Sequence, residues 1–451
     1  MKGVEGKWKA ELRALIALAV PVVLSELGWM AQGIVDTIMV GSLGPAAIGA
    51  VALGNAVYYI PSLCGFGLLL GLDTLVSQAY GREDHDACHR WLAQGMYLCV
   101  LLSIPIMVVT ALLSFGFAPC GITPEVAAPA AGYLRWMNWG TLPLLVYGGT
   151  RRYLQSVGEV RVVMFTFIVA NLVNWLGNWA LIYGHLGLPA MGVDGSALST
   201  TISRIFMAAA LLGFAWRYER RRGHPLFYHW AGPCVREIRD LVRLGLPAAG
   251  QILMEVGAWN VATLAAGWLT PVELATHQIV FNYVALTYMV PLGVSSAAAI
   301  SVGQAVGAGD RARARRAGWL SMLPGVGFMA LAALAFLLFP TPLIALYTRD
   351  PLVMSAGAKL LLLAAAFQIF DGTQTVLTGA LRGLGDTRFP MLANLLGYWP
   401  LGIPLGLVLC FRAGWGVYGL WSGLTVALIL VALSLLARWY RSSERLVRGE
   451  G

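Results

Sequence analysis

Five carboxylates stand inside long apolar runs of this chain: Glu26, Asp36, Asp73, Glu255 and Asp371. An acid in a lipid-facing segment is unfavourable enough that it marks an ion or substrate pathway by default. Glu26 and Asp36 share one run and lie about 15 Å apart along it at ~1.5 Å per residue. The stretch NLVNWLGNW places Asn171, Asn174 and Asn178 three and four residues apart, so they share one helical face. Amide oxygens on one face, with a carboxylate from the first run and a hydroxyl from Thr200 or Thr201, form an oxygen-rich site suited to a hard cation such as Na⁺. The same asparagines serve equally as interhelical hydrogen-bonding glue. In the second half, Glu255 and Asp371 are the acids deep in apolar runs. Together they can hold a proton, a Na⁺ or an organic cation, or form a structural pair with a basic partner. Lys359 lies three turns from Asp371 and is a poor partner. Arg204, one turn past Thr200, either counters Asp36 or snorkels to the interface. His277, Gln278 and Tyr288 stand where they can line the same cavity, although a lone His is more often a packed residue. No HExxH or GxSxG constellation is present, so nothing points to an enzyme.

The elements that carry these residues are membrane spans. Of the 451 residues, 58% are hydrophobic and 12% charged, and the mean hydropathy is +0.71. Soluble domains run nearer a quarter charged. About twelve apolar helices of spanning length follow in order. They lie near 12–40, 46–78, 92–115, 127–154, 162–184, 194–216, 240–269, 272–304, 317–339, 352–381, 389–411 and 416–440. The net charge of +9 is spread between and after these runs, where it reads as orientation signal and not as a nucleic-acid surface. Lys2, Lys7, Lys9, Arg13, Arg82, Arg90, Arg151, Arg152, Arg161, the stretch 217–243, Arg311–Arg316, Arg382, Arg388 and the tail arginines fall on one side. Both termini and the central loop are therefore expected in the cytoplasm. The first run has no small-residue cleavage site and is read as a retained helix. The six cysteines (Cys64, Cys88, Cys99, Cys120, Cys234, Cys410) form no CxxC and suggest neither a disulfide framework nor a metal site. Trp136, Trp139, Trp415 and Trp439 are read as interface anchors.

The chain repeats itself. Pro21, Gly41 and Pro45 recur as Pro247, Gly267 and Pro271, a constant offset of 226 (Pro247 minus Pro21). SQAYG recurs as GQAVG, LQSVGEVR as LRGLGDTR and GVDG as GVYG, at offsets of 224 to 227. Six spans per half is an even number, so both halves share one orientation and substrate is expected near mid-membrane between them. The expected division is 1–229, a six-helix lobe with the basic central loop, and 230–451, a second six-helix lobe. Pro21, Pro61, Pro143, Pro247, Pro291, Pro400 and Pro404 offer kinks or simple packing.

VDTIMVGSLG, GLDTLVSQAYG, HQI and FDGTQTVLTGALRGLGDTR resemble the multidrug and toxic compound extrusion family, most closely its NorM-like branch. The resemblance covers the whole chain. It implies an all-α integral membrane protein whose two parallel six-helix repeats form a V-shaped pair of lobes. It also implies multidrug efflux, linked to antibiotic resistance: antiport of organic cations for Na⁺ or H⁺ by alternating access, in a bacterial inner membrane, by a monomer without cofactor. The family's ion-coupling and substrate positions fall on Asp36, Asn174, Asn178, Glu255, Tyr288 and Asp371, with Na⁺ expected at Asp36, Asn174 and Asn178 or at Glu255 and Asp371. Two departures bear on the ion: Asn178 stands where proton-coupled relatives often have Asp, and Phe367 where some NorM-like members have Tyr. A lipid-linked precursor flippase of the wider superfamily is the alternative, and it would favour a cavity lined by several arginines.

Overall fold

The computed structural model describes residues 2–117, 119, 121–223 and 232–448, with side chains from residue 8 onward. Every element among them is helical. The helices are α1 (Lys2–Gly41), α2 (Pro45–Leu69), α3 (Gly71–Gly81), α4 (His85–Ser114), α5 (Pro124–Trp139), α6 (Thr141–Ser156), α7 (Val160–Tyr183) and α8 (Val193–Arg221). They continue with α9 (Val235–Ala266), α10 (Pro271–Gly307), α11 (Arg311–Leu338), α12 (Pro340–Ala345), α13 (Pro351–Gly383), α14 (Arg388–Gly397), α15 (Ile403–Leu407) and α16 (Val417–Arg448). Start signals repeat between the halves. Proline occupies the first position of α2 and α10, where its missing N–H is harmless. Asp84 caps α4 by accepting from Ala87 N at 2.8 Å, and Asp310 caps α11 by accepting from Arg313 N at 2.8 Å. The matched glycines of LQSVGEVR and LRGLGDTR are required by the backbone: Gly158 has φ 91° and Gly385 φ 86°, in the left-handed region.

Among the described residues, ten helical runs are long and apolar enough to cross a membrane, α2 with α3 counting as one and Arg388–Arg412 as another. The other two of the twelve expected spans fall on helices outside these ten. One, expected near 127–154, is interrupted at Gly140 into α5 and α6, each too short to cross alone. The other is α9, whose apolar part is diluted by Gln251, Glu255 and Asn260. Several helices outrun the apolar segments: α1 reaches back to Lys2 and α16 on to Arg448, because helix geometry continues where the lipid-compatible sequence stops. Between α14 and α16 the chain forms two π-helical turns, Tyr398–Gly402 and Val408–Arg412. Pro400 and Pro404 supply no N–H to the ladder there, and the wider turn absorbs the mismatch.

The compact units do not coincide with the halves 1–229 and 230–451. One unit is Leu24–Ala249; the other joins the residues up to Val23 with those from Gly250 onward. The exchange respects the repeat, since Val23 and Ala249 are 226 apart. Gly67 of α2 meets the Ala249 backbone, a Cβ there falling 2.5 Å from Ala249 Cα. Its repeat equivalent, Gly293 of α10, meets Val23, a Cβ falling 2.8 Å from Val23 Cα and N. Backbone approach this close needs glycine, and small residues are how membrane helices pack. Each half of the repeat therefore lends the first part of its leading helix to the other unit.

In the Leu24–Ala249 unit, α2 packs on α4 and α5, and α8 on α5, α6 and α7. In the other unit, α13 packs on α10, α11 and α16. Trp439 is an anchor reading that fails. It is fully buried against Gly318 of α11, where a side chain would collide with its ring. Cys64, Cys88, Cys99, Cys234 and Cys410 are free thiols; Cys120 and residues 224–231 of the central loop lie outside the described residues.

Candidate functional site

The predicted residues gather into two clusters, one in each unit. In the Leu24–Ala249 unit α1 brings Asp36, α7 brings Asn174 and Asn178, and α8 brings Thr200, all buried. Asn178 Nδ2 donates to Asp36 Oδ1 at 2.6 Å and lies 3.4 Å from Asn174 Oδ1. Asn174 Nδ2 donates to Thr200 Oγ1 at 3.3 Å. At Asn178 the amide nitrogen, not the oxygen, faces Asp36, whose carboxylate oxygen accepts from it. Asn178 Oδ1 is buried with no hydrogen-bond partner among the described residues. Asn171 leaves the cluster, its amide donating to Phe167 O at 3.1 Å.

Arg204 belongs to this site, and sequence alone left its role open. It does not snorkel; it is 6% exposed. Nη1 donates to Tyr58 Oη at 2.8 Å, and the guanidinium carbon sits 4.8 Å over the same ring. The interruption at Gly140 makes room for it: a Cβ there would lie 3.1 Å from Arg204 Cδ. The Thr201 hydroxyl donates to Trp136 O at 2.8 Å, satisfying a carbonyl freed by that break. The guanidinium is within electrostatic reach of Asp36.

Three further buried or half-buried acids of this unit face basic groups. Glu26 pairs with Arg151. Asp73 Oδ2 lies 3.4 Å from Arg152 Nη1. Glu219 of α8 accepts from Tyr153 Oη at 2.7 Å and faces His89 Nε2 at 3.1 Å. Arg151 and Arg152 therefore do not act as loop orientation signals. They lie inside α6, which runs on to Ser156, and are buried. The span expected near 127–154 already contains the pair, but in sequence their charge reads as orientation and not as partners for buried acids.

In the second unit α9 brings Glu255 and α13 brings Asp371, 7% and 5% exposed. Glu255 accepts from Gln374 Nε2 at 3.0 Å and Gln251 Nε2 at 3.3 Å. Gln374 Nε2 also lies 3.4 Å from Tyr398 Oη. Asp371 and Glu255 repel one another, and no basic group acts on either among the described residues. Lys359 is exposed to the outside. Tyr288 is half-buried on α10, within electrostatic reach of Tyr398. Gln251 and Gln374 are first neighbours that the acid count passed over; Gln251 one turn before Glu255, and Gln374 within a turn of Asp371, were the available signals.

His277 separates from the site. Trp421 Nε1 donates to its Nδ1 at 3.0 Å, and indole only donates, so the ring proton sits on Nε2, 2.9 Å from Thr263 Oγ1. Both nitrogens are occupied inside an aromatic core of Trp259, Phe281, Phe367 and Trp421. Gln278 points outward from the helix and is exposed. Phe367 fills core volume in that cluster.

A family model for MatE matches this chain twice, over residues 21–180 and 247–408. The chain belongs to the MatE family. The double match starts 226 residues apart, as the repeat does. Among relatives, the "Probable multidrug resistance protein NorM" of Mesorhizobium japonicum is 37% identical over 444 residues, covering 97% of this chain and 95% of that protein. Its namesake from Brucella suis is 34% identical over 445 residues, covering 96% and 94%. A solved structure of a MATE protein in the bent conformation superposes with TM-score 0.89 at 17% identity, covering 100% of this chain and 99% of that one. The eukaryotic MATE transporter AtDTX14 gives TM-score 0.83 at 20% identity, covering 97% and 98%. At those identities the likeness speaks for fold alone. The chain is a multi-pass membrane protein of this family.

Proposed function

We propose that this MatE protein is a secondary active antiporter that exports organic cations and drugs in exchange for Na⁺ or H⁺ by alternating access, and is not an enzyme. It sits as a monomer in a bacterial inner membrane, among lipids, with both termini cytoplasmic, and needs neither cofactor nor nucleic acid. The observation that carries this reading is a pair of buried acids in membrane-spanning helices, Glu255 and Asp371, with no basic partner among the described residues. An uncompensated acid pair in lipid calls for a cation. Open outward, the protein takes the coupling ion at its acids. The neutralised carboxylates hold a cationic drug less well, and the drug leaves. Open inward, a new drug cation displaces the ion. Asp36, Asn174, Asn178 and Thr200 in one unit, and Glu255, Asp371 and Tyr288 in the other, are assigned to this exchange. Pro21 and Pro247, each two residues before the chain passes from one unit to the other, give it a place to flex. The names of the NorM relatives support drug export. A flippase would call for several arginines on a cavity, whereas Arg204 is buried and hydrogen-bonded to Tyr58.

The test is efflux of ethidium from proteoliposomes under a Na⁺ gradient alone and then a pH gradient alone. Export driven by either gradient identifies the coupling ion. Export driven by neither sinks the antiporter.

A further inference from the structure

The leading helices of the two halves share an anchor and then part. Glu11 of α1 pairs with Arg316 of α11 at 2.9 Å. At the offset of 226 (Glu237 minus Glu11), Glu237 of α9 faces Arg90 of α4 at 3.8 Å. That pair belongs to the duplicated scaffold. Two features of α9 have no match in α1. Gln94 of α4, fully buried, holds the chain entering α9 at two points: its Nε2 donates to Gly232 O at 2.9 Å, and Cys234 N donates to its Oε1 at 2.9 Å. Its counterpart, Leu320, can make neither bond. Arg236, Arg239 and Arg243 then follow at spacings of three and four, all exposed. Their counterparts are Ala10, Arg13 and Ala17.

The three arginines share one helical face. Ile238, Leu241 and Val242 pack the opposite face into a core built with α4 and α8. The stripe covers about 10 Å along the axis at ~1.5 Å per residue. A turn beyond it, still on that face, stands Leu246, 58% exposed. One face thus passes from charge to apolar surface, as a helix does on leaving the headgroup layer, roughly 5–8 Å deep, for the hydrocarbon. None of the three arginines forms an ion pair among the described residues. Glu237 is turned to Arg90, and Asp240 pairs with none of them. Arg236 also stands in the first turn, at the positive end of the helix dipole, where a cation is disfavoured. An orientation signal needs basic residues near the end of a span, but neither a common face nor a clasp that fixes that face.

We propose that the outer face of α9 from Arg236 to Leu246 is a docking surface for anionic phospholipid headgroups, with Arg236, Arg239 and Arg243 binding the lipid phosphates. A guanidinium pairs with a phosphate through two N–H groups, and the phosphate supplies the negative charge that the protein leaves out. Each arginine beside an anionic surface is worth about fivefold in binding. Three together favour anionic over zwitterionic lipid by roughly a hundredfold. Bound lipid and the Gln94 clasp together hold the start of α9 in the Leu24–Ala249 unit, just before the chain leaves it.

The experiment is amide hydrogen exchange of the full chain in nanodiscs of phosphatidylcholine, with and without phosphatidylglycerol. In the wild type, residues 235–246 are expected to exchange more slowly with phosphatidylglycerol, by up to about a hundredfold. The difference is expected to vanish in Arg236→Gln/Arg239→Gln/Arg243→Gln. It is expected to persist in Arg217→Gln/Arg221→Gln, which removes exposed charge from the end of α8. Equal exchange of the wild type in both membranes, or an undiminished difference in the triple variant, would overturn the proposal. Loss of the difference in the α8 variant would reduce it to bulk surface charge and overturn it too. The same protection from inorganic phosphate in phosphatidylcholine nanodiscs would assign the stripe to a free anion and not to lipid. The two wild-type comparisons decide the matter even if a variant does not fold.

Discussion

Replacing Gln374 by Leu should tighten the hold on the coupling ion. Gln374 Nε2 donates to Glu255 Oε1 at 3.0 Å, with a second donor from Gln251 at 3.3 Å. A hydrogen bond to a charged group is worth about 1.5–3 kcal/mol. The ion-free state has an ionised carboxylate and depends on that bond. The ion-loaded carboxylate is neutralised and depends on it far less. Removing the donor therefore raises the ion-free state more than the loaded one, by up to the full bond. The half-saturating concentration of the coupling ion should fall roughly 10- to 150-fold, at about 1.4 kcal/mol per decade, and ethidium turnover should slow as ion release becomes harder. The assay is efflux from proteoliposomes across a titration of the coupling ion, with thermal unfolding as a control. That control matters because Tyr398 also loses a neighbour at 3.4 Å. A weaker ion affinity in a folded Gln374→Leu would refute the reasoning. It would mean that Gln374 turns its buried oxygen, which has no hydrogen-bond partner in this state, onto the ion as a ligand.

Asp371→Asn and Asp36→Asn should each abolish drug export while leaving a folded protein, checked by efflux beside size-exclusion chromatography; wild-type export by both would defeat the site assignment. Gly67→Leu and Gly293→Leu should each prevent stable folding, because the new side chain meets the backbone of Ala249 or Val23, which cannot move aside; monodisperse yield in detergent measures this. Tyr153→Phe should lower stability by about 1–3 kcal/mol by taking a 2.7 Å hydrogen bond from buried Glu219, read as a drop in unfolding temperature without a change in ion dependence.

The scaffold was legible in sequence because lipid enforces it: apolar length, the even number of spans and the glycine and proline positions of the repeat all follow from backbone constraints. The helix interruption at Gly140 was not legible, since a single glycine in an apolar run is tolerated as often as it breaks a helix. Nor was the exchange at Val23 and Ala249, which depends on which neighbour a helix meets and not on its own composition. The acids of the candidate site were visible as anomalies, but their partners were not. Arg151 and Arg152 read as orientation charges at the end of a span and instead compensate Glu26 and Asp73. The amide direction of Asn178 is set by the carboxylate it faces, which spacing along one helix cannot reveal.

That distinction between scaffold and charge argues for a division of labour. The caps, turns and tight glycine contacts recur at matching positions in both halves. The buried ionisable residues of the candidate site do not: Asp36 corresponds to Ala262, Arg204 to Leu428, Glu255 to Trp29 and Asp371 to Leu144, at offsets of 224 to 227. A buried charge is tolerated only with a counter-charge or a function that uses it. Where acids of one unit have basic partners on neighbouring helices, as Glu26 and Asp73 do, they are balanced by the fold. Glu255 and Asp371 have none among the described residues. On the proposed antiport reading their balance comes from a cation that enters and leaves, and the repeat's divergence in charge is what would let a symmetric scaffold exchange one cation for another.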